Sequence, residues 1–124
     1  MHRIGIVGLG GLLGAISRYL VTGWFQGLLG SAFPWGTAVV NIVGGFLAGL
    51  VITLATESLV FSTNARLFLA VGVLGGFTTF SSFGYETMRL AESGSYAYAL
   101  GNVLLNVVVG FLAVFLGIVI ARLF

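Results

Sequence analysis

One stretch of the chain combines residue types that could handle an ion: Gly72-Val73-Leu74-Gly75-Gly76-Phe77-Thr78-Thr79-Phe80-Ser81-Ser82-Phe83. Two adjacent glycines precede two hydroxyl pairs, and three phenylalanines recur at a spacing of three. Gly-Gly disfavours helix continuity and the hydroxyls compete for backbone groups, which predicts a helix break here. A break exposes carbonyl oxygens, and these suit hard cations such as Na⁺. A second reading stands beside it, in which the glycines form a tight packing face and the hydroxyls bond back to the preceding turn. Beyond the break, Phe80 and Phe83 share one helical face. Their ring edges carry partial positive charge and could meet an anion, or the rings could simply pack. Thr79, Ser82 and Glu86 form another face that Arg89 continues. Glu86 and Arg89, at i and i+3, are expected to pair near the membrane edge.

Other polar residues fall on stripes. Thr37, Asn41 and Gly45 recur at intervals of four, and Asn102, Asn106 and Gly110 repeat the arrangement. A buried Asn amide offers two donors, for an anion or for a neighbouring helix. Several such residues on aligned faces favour a polar pathway. Gly10 and Gly14 fit close helix packing, and Arg18 either snorkels to an interface or supplies positive charge to a vestibule. No enzyme chemistry can be assembled. Cysteine is absent, His2 stands alone near the N-terminus, and no nucleophile–base pair is present. Gly8-x-Gly10 is followed by Leu13 rather than a third glycine, so there is no dinucleotide loop either.

The elements that must position these groups are apolar. Of 124 residues 59% are hydrophobic and 6% charged, against about 25% charged in soluble domains. Eight charges (five Arg plus three Glu) could not keep a soluble surface wet. Glycine, with 20 residues, suits membrane helices, where it lets backbones approach. A spanning helix needs about 20 apolar residues, and four segments qualify: residues 4–29, 34–56, 67–90 with a break near 75–79, and 96–121. The chain therefore reads as an all-α membrane protein, one domain over residues 1–124 with its third span broken near the middle. No cleavable signal peptide is expected, since the first apolar run lacks a small-x-small exit motif and continues past Arg18.

Four spans put both termini on one side. Arg3, Arg66 and Arg122 then face that side, against Arg89 and, on one reading, Arg18. So weak a bias allows insertion both ways up, hence an antiparallel pair of identical subunits; a fixed topology with a weak signal is the alternative. The scattered arginines make no nucleic-acid patch.

At this point the residues resemble the small bacterial fluoride channels, the Fluc or CrcB family. The likeness runs through Gly-Leu-Leu-Gly-Ala-Ile-Ser-Arg-Tyr (11–19), Gly-Thr-Ala-Val-Val-Asn-Ile-Val-Gly-Gly-Phe (36–46) and Gly-Gly-Phe-Thr-Thr-Phe-Ser-Ser-Phe (75–83). The resemblance implies a dual-topology, antiparallel homodimer with two fluoride pores in a bacterial inner membrane. It implies a central Na⁺ held by the backbone carbonyls of Gly75 and Thr78 from both subunits. Phe80 and Phe83 would line the pores, with Asn41 as a polar pore residue and Ser81 as a further candidate. Thr37 and Asn106 are carried as pathway residues and Arg18 as a vestibule residue. Some members have Tyr and Ser hydroxyls along the fourth helix where this chain has Asn102, Asn106 and Gly110.

The expected mechanism is passive conduction, with donors and ring edges replacing the hydration shell of fluoride. Substituting Asn41 is expected to alter transport while leaving assembly intact. Two other classes compete. A small multidrug-resistance exporter is similarly compact, but its family carries a Glu in the first helix and this first span has no carboxylate. A non-transporting scaffold would need no polar stripes.

Overall fold

In hydrocarbon each spanning segment must satisfy its own backbone, which leaves the helix as the natural solution for an isolated apolar run. The computed structural model describes residues 1–124 and is all-helical. Four helices are long and apolar enough to cross a membrane: His2–Leu29, Trp35–Glu57, Thr63–Glu92 and Tyr96–Ala121. The third is interrupted, as the sequence leads one to expect. We label the elements α1 (His2–Leu29), α2 (Trp35–Glu57), α3 (63–77), α4 (Phe80–Glu92) and α5 (Tyr96–Ala121). α3 and α5 each contain a wider π-helical segment, Leu67–Leu74 and Leu104–Val109. Such segments concentrate at functional sites, and the second one carries Asn106.

Lipid is as apolar as leucine, so helices associate here by close backbone approach. α1 meets α3 along Gly10, Gly14, Gly72 and Gly76. A β-carbon on Gly76 would lie 2.6 Å from the Gly11 carbonyl oxygen, and one on Gly72 would lie 2.8 Å from the Gly10 Cα. α2 meets α5 in the same way: a β-carbon on Gly49 would strike the Val114 carbonyl, and one on Gly117 the Phe46 carbonyl. One on Gly45 would sit 3.2 Å from the Gly110 carbonyl, so the two polar stripes face each other.

The two sequence readings of the glycine stretch both hold, at different residues. Gly75 and Gly76 stay helical, and Gly76 packs on α1. The interruption falls at Thr78 and Thr79, whose ψ angles of 157° and 117° are extended. The Thr78 hydroxyl bonds back to the Leu74 carbonyl at 3.0 Å. The chain is held at the ends of the bundle too. Gln26 Nε2 donates to the Phe33 carbonyl (3.0 Å) across the α1–α2 turn, and Arg122 grips Glu57 through two bonds of 2.8 and 3.0 Å. Arg3 and Arg66 line one shallow cleft, on the same end of the bundle.

Candidate ion pathway

The break is held by a side chain from another helix. Asn41 Oδ1 accepts from the Thr79 N–H (2.8 Å) while Asn41 Nδ2 donates to the Thr79 carbonyl (2.9 Å). One amide side chain thus takes the place of a helical neighbour for both backbone groups of Thr79. In a continuous helix that N–H would serve the carbonyl of Gly75, which is thereby released. Thr79 also caps α4, its Oγ1 accepting from the Ser82 N–H at 3.2 Å. α4 therefore starts at the break with the positive end of its dipole toward Asn41.

Two clefts meet at Thr79. The inner one, about 320 Å³, is lined by Asn41, Thr78, Thr79, Phe80, Phe83 and Asn106 together with Val107 and Phe111. Its two rings stand edge to face, with centroids 5.6 Å apart and planes at 78°. Phe83 is buried, whereas Phe80 is 82% exposed. The outer cleft, about 460 Å³, carries Arg18, Thr22, Gln26, Thr37, Thr79, Ser82 and Glu86 among its lining residues. Polar groups, Arg18 and Glu86 occupy the outer cleft, phenylalanine rings and amides the inner one.

Most of the residues singled out from the sequence come together here. Asn41, Phe80, Phe83 and Asn106 share the inner cleft; Arg18 and Thr37 share the outer one. Ser81 lines neither: it is exposed and touches Thr79 Oγ1 at 3.3 Å, while its neighbour Ser82 enters the outer cleft. The Thr79-Ser82-Glu86 face already pointed to Ser82. Thr22 and Gln26 were missed, although Arg18, Thr22 and Gln26 recur at intervals of four. The expected Glu86–Arg89 pair does not form. Glu86 is turned toward α2, where Oε1 accepts from the Thr37 hydroxyl at 2.8 Å, and its buried Oε2 has no partner. Arg89 lies 3.8 Å from Glu92 on the exposed side, since i,i+3 spacing serves either carboxylate.

Four membrane-crossing helices, one broken at mid-span beside a run of polar and aromatic lining, define a multi-pass membrane protein with the build of a transport pore. The family model described as "CrcB-like protein, Camphor Resistance (CrcB)" matches residues 5–118, and the chain belongs to that family. Among bacterial relatives, the "Fluoride-specific ion channel FluC" of Thermus thermophilus is 49% identical over 121 residues, covering 94% of each chain. The protein of the same name from Agrobacterium fabrum is 47% identical over 122 residues, covering 98% of each. That from Trichlorobacter lovleyi is 48% identical over 109 residues, covering 88% of this chain and 87% of its own.

Proposed function

We propose that this protein is a fluoride channel that lets the ion leave the cell passively through a bacterial membrane. The observation that carries the reading is the pair of clefts joined at Thr79, one polar and containing Arg18 and Glu86, the next lined by phenylalanine rings and amides. The names of the relatives support the choice of ion. Arg18 raises the local anion concentration. Thr37 and Ser82 offer hydroxyls, and the edges of Phe80 and Phe83 take the ion beyond Thr79. Small donors that hold fluoride only moderately permit conduction, and apolar walls disfavour the larger chloride.

The working unit in this reading is an antiparallel homodimer. Phe80 is 82% exposed on the single chain, and Gly75 and Ser81 are exposed on the same span. Polar backbone facing lipid at that depth costs several kcal/mol, which a second copy would relieve by covering the break. The weak arginine bias is compatible with both orientations. A Na⁺ ion at the dimer centre belongs to the same proposal. The donor set fits it: the Gly75 carbonyl has lost its helical N–H to Asn41, and the Thr78 carbonyl sits in extended backbone. Oxygen-only ligands suit a hard cation, and bound there it would supply fixed positive charge between the pores.

The test is anion efflux from proteoliposomes, read with a fluoride electrode and repeated with chloride. Rapid fluoride loss with negligible chloride loss supports the channel; no fluoride loss from folded dimers removes it. Phe80→Ile in the same assay is expected to cut fluoride efflux at least about tenfold, about 1.4 kcal/mol of barrier, because an exposed ring adds little to the fold of its own chain. Arg18→Gln is expected to slow efflux about tenfold at low ionic strength. That deficit should shrink in about 1 M impermeant salt, where the Debye length is about 3 Å. A deficit independent of salt would assign Arg18 a packing role.

A further inference from the structure

Beside the two phenylalanine rings a hydrogen-bond loop leaves α4 and returns to it. The Thr79 N–H donates to Asn41 Oδ1 (2.8 Å), Asn41 Nδ2 to Asn106 Oδ1 (2.8 Å), and Asn106 Nδ2 to Asn102 Oδ1 (3.0 Å). Asn102 Nδ2 then donates to Thr87 Oγ1 (2.9 Å), and the Thr87 hydroxyl to the Phe83 carbonyl (2.8 Å). Both ends are backbone groups of fixed polarity, an N–H that only donates and a carbonyl that only accepts. Every side chain between them must point the same way round. Turning one amide over would set donor against donor at one contact and acceptor against acceptor at the next. Asn102, fully buried, has no water to fall back on.

The loop leaves no amide hydrogen of the pore asparagines free. Asn41 spends its two on the Thr79 carbonyl and Asn106 Oδ1; Asn106 spends its two on the Asn102 carbonyl (2.9 Å) and Oδ1. Toward Asn41, therefore, Asn106 presents an oxygen. An anion beside Phe80 and Phe83 obtains an Asn41 hydrogen only by displacing that oxygen.

We propose that Asn106 is a competing acceptor for the Asn41 amide, so that Asn41 lends its donor to the passing ion and takes it back. This rests on the fluoride-channel reading. The competition weakens binding in the inner cleft and so speeds release. Asn106 is held in this orientation from both sides, by the Asn41 amide and by the Asn102 carbonyl. Without the Asn106 oxygen, that Asn41 hydrogen is free for the ion, which is then held longer.

The experiment is fluoride flux as a function of fluoride concentration for the unaltered protein, Asn106→Ala and Asn106→Val. Asn106→Ala is expected to lower the half-saturating concentration about tenfold and to lower the maximal rate per channel. An Asn106→Ala protein whose half-saturation is unmoved or higher, whatever its maximal rate, overturns the proposal, because a purely structural loss changes only the number of active channels. If Asn106→Ala does not assemble, Asn106→Val is measured on the same axis, and an unchanged or higher half-saturation overturns the proposal. Absence of saturable fluoride flux in the unaltered protein removes the channel reading itself, and the proposal with it.

Discussion

Replacing Asn41 with leucine is expected to abolish fluoride flux and to destabilise the folded chain by about 2–6 kcal/mol, from two orphaned backbone groups at about 1–3 kcal/mol each. Both groups belong to Thr79, and Asn41 satisfies them at 2.8 and 2.9 Å. Leucine is close in volume, so the loss is polar rather than steric. From the sequence this substitution was expected to leave assembly intact. The structure gives Asn41 a second duty, which ties transport to stability. Asn41→Asp separates the two, because it keeps an acceptor for the Thr79 N–H but loses both donors. It should unfold at a temperature between those of Asn41→Leu and the unaltered protein, yet still fail to conduct. Thermal unfolding in detergent alongside liposome efflux measures both. Normal stability together with normal flux in Asn41→Leu would remove Asn41 from the site.

The second large effect belongs to the α2–α5 seam. Gly49→Leu is expected to prevent folding into the four-span bundle, because even a β-carbon there runs into the Val114 carbonyl and approaches the Ile118 nitrogen at 3.2 Å. Backbone cannot yield as a flexible side chain can, so the helices must separate. Overpacking typically costs about 1–3 kcal/mol for a few methylenes, and here it also breaks the alignment of the two polar stripes. Gly8→Ala is the control: nothing lies within 4 Å of a β-carbon there, and alanine favours helix over glycine by about 1 kcal/mol. Monodisperse protein on size exclusion for Gly8→Ala, and aggregate for Gly49→Leu, is the expected outcome. A well-folded Gly49→Leu protein would mean that the seam is looser than the structure places it.

The spans were legible because uncharged runs of that length have one physical outcome in a membrane. That the third span is broken near residues 75–79 was legible too, but not which of those residues leave the helix. Gly75-Gly76 looked like the weak point from propensity alone, yet glycine is stable in a helix when another backbone lies on it, as Gly11 does on Gly76. Thr78-Thr79 breaks instead because Asn41, 38 residues away in sequence from Thr79, replaces the helical bonds. Stripes at intervals of four were visible in α2 and α5; that they face each other depends on Gly45 meeting Gly110. Thr87 carried no signal at all. Its hydroxyl accepts from Asn102, and a partner on another helix leaves no trace in local spacing.

The way the break is held also bears on the order in which the chain can mature. Domains emerge N-terminal first during synthesis, so α2 and Asn41 are already in place when Thr78 and Thr79 leave the ribosome. The clamp that stabilises the bend thus precedes the bend. Asn102 and Asn106 arrive last, on the final helix, and until then one Asn41 hydrogen has no acceptor from α5. A nascent chain stopped before residue 102 would therefore be bent but not yet closed, with its hydrogen-bond loop waiting on the last span to leave the translocon.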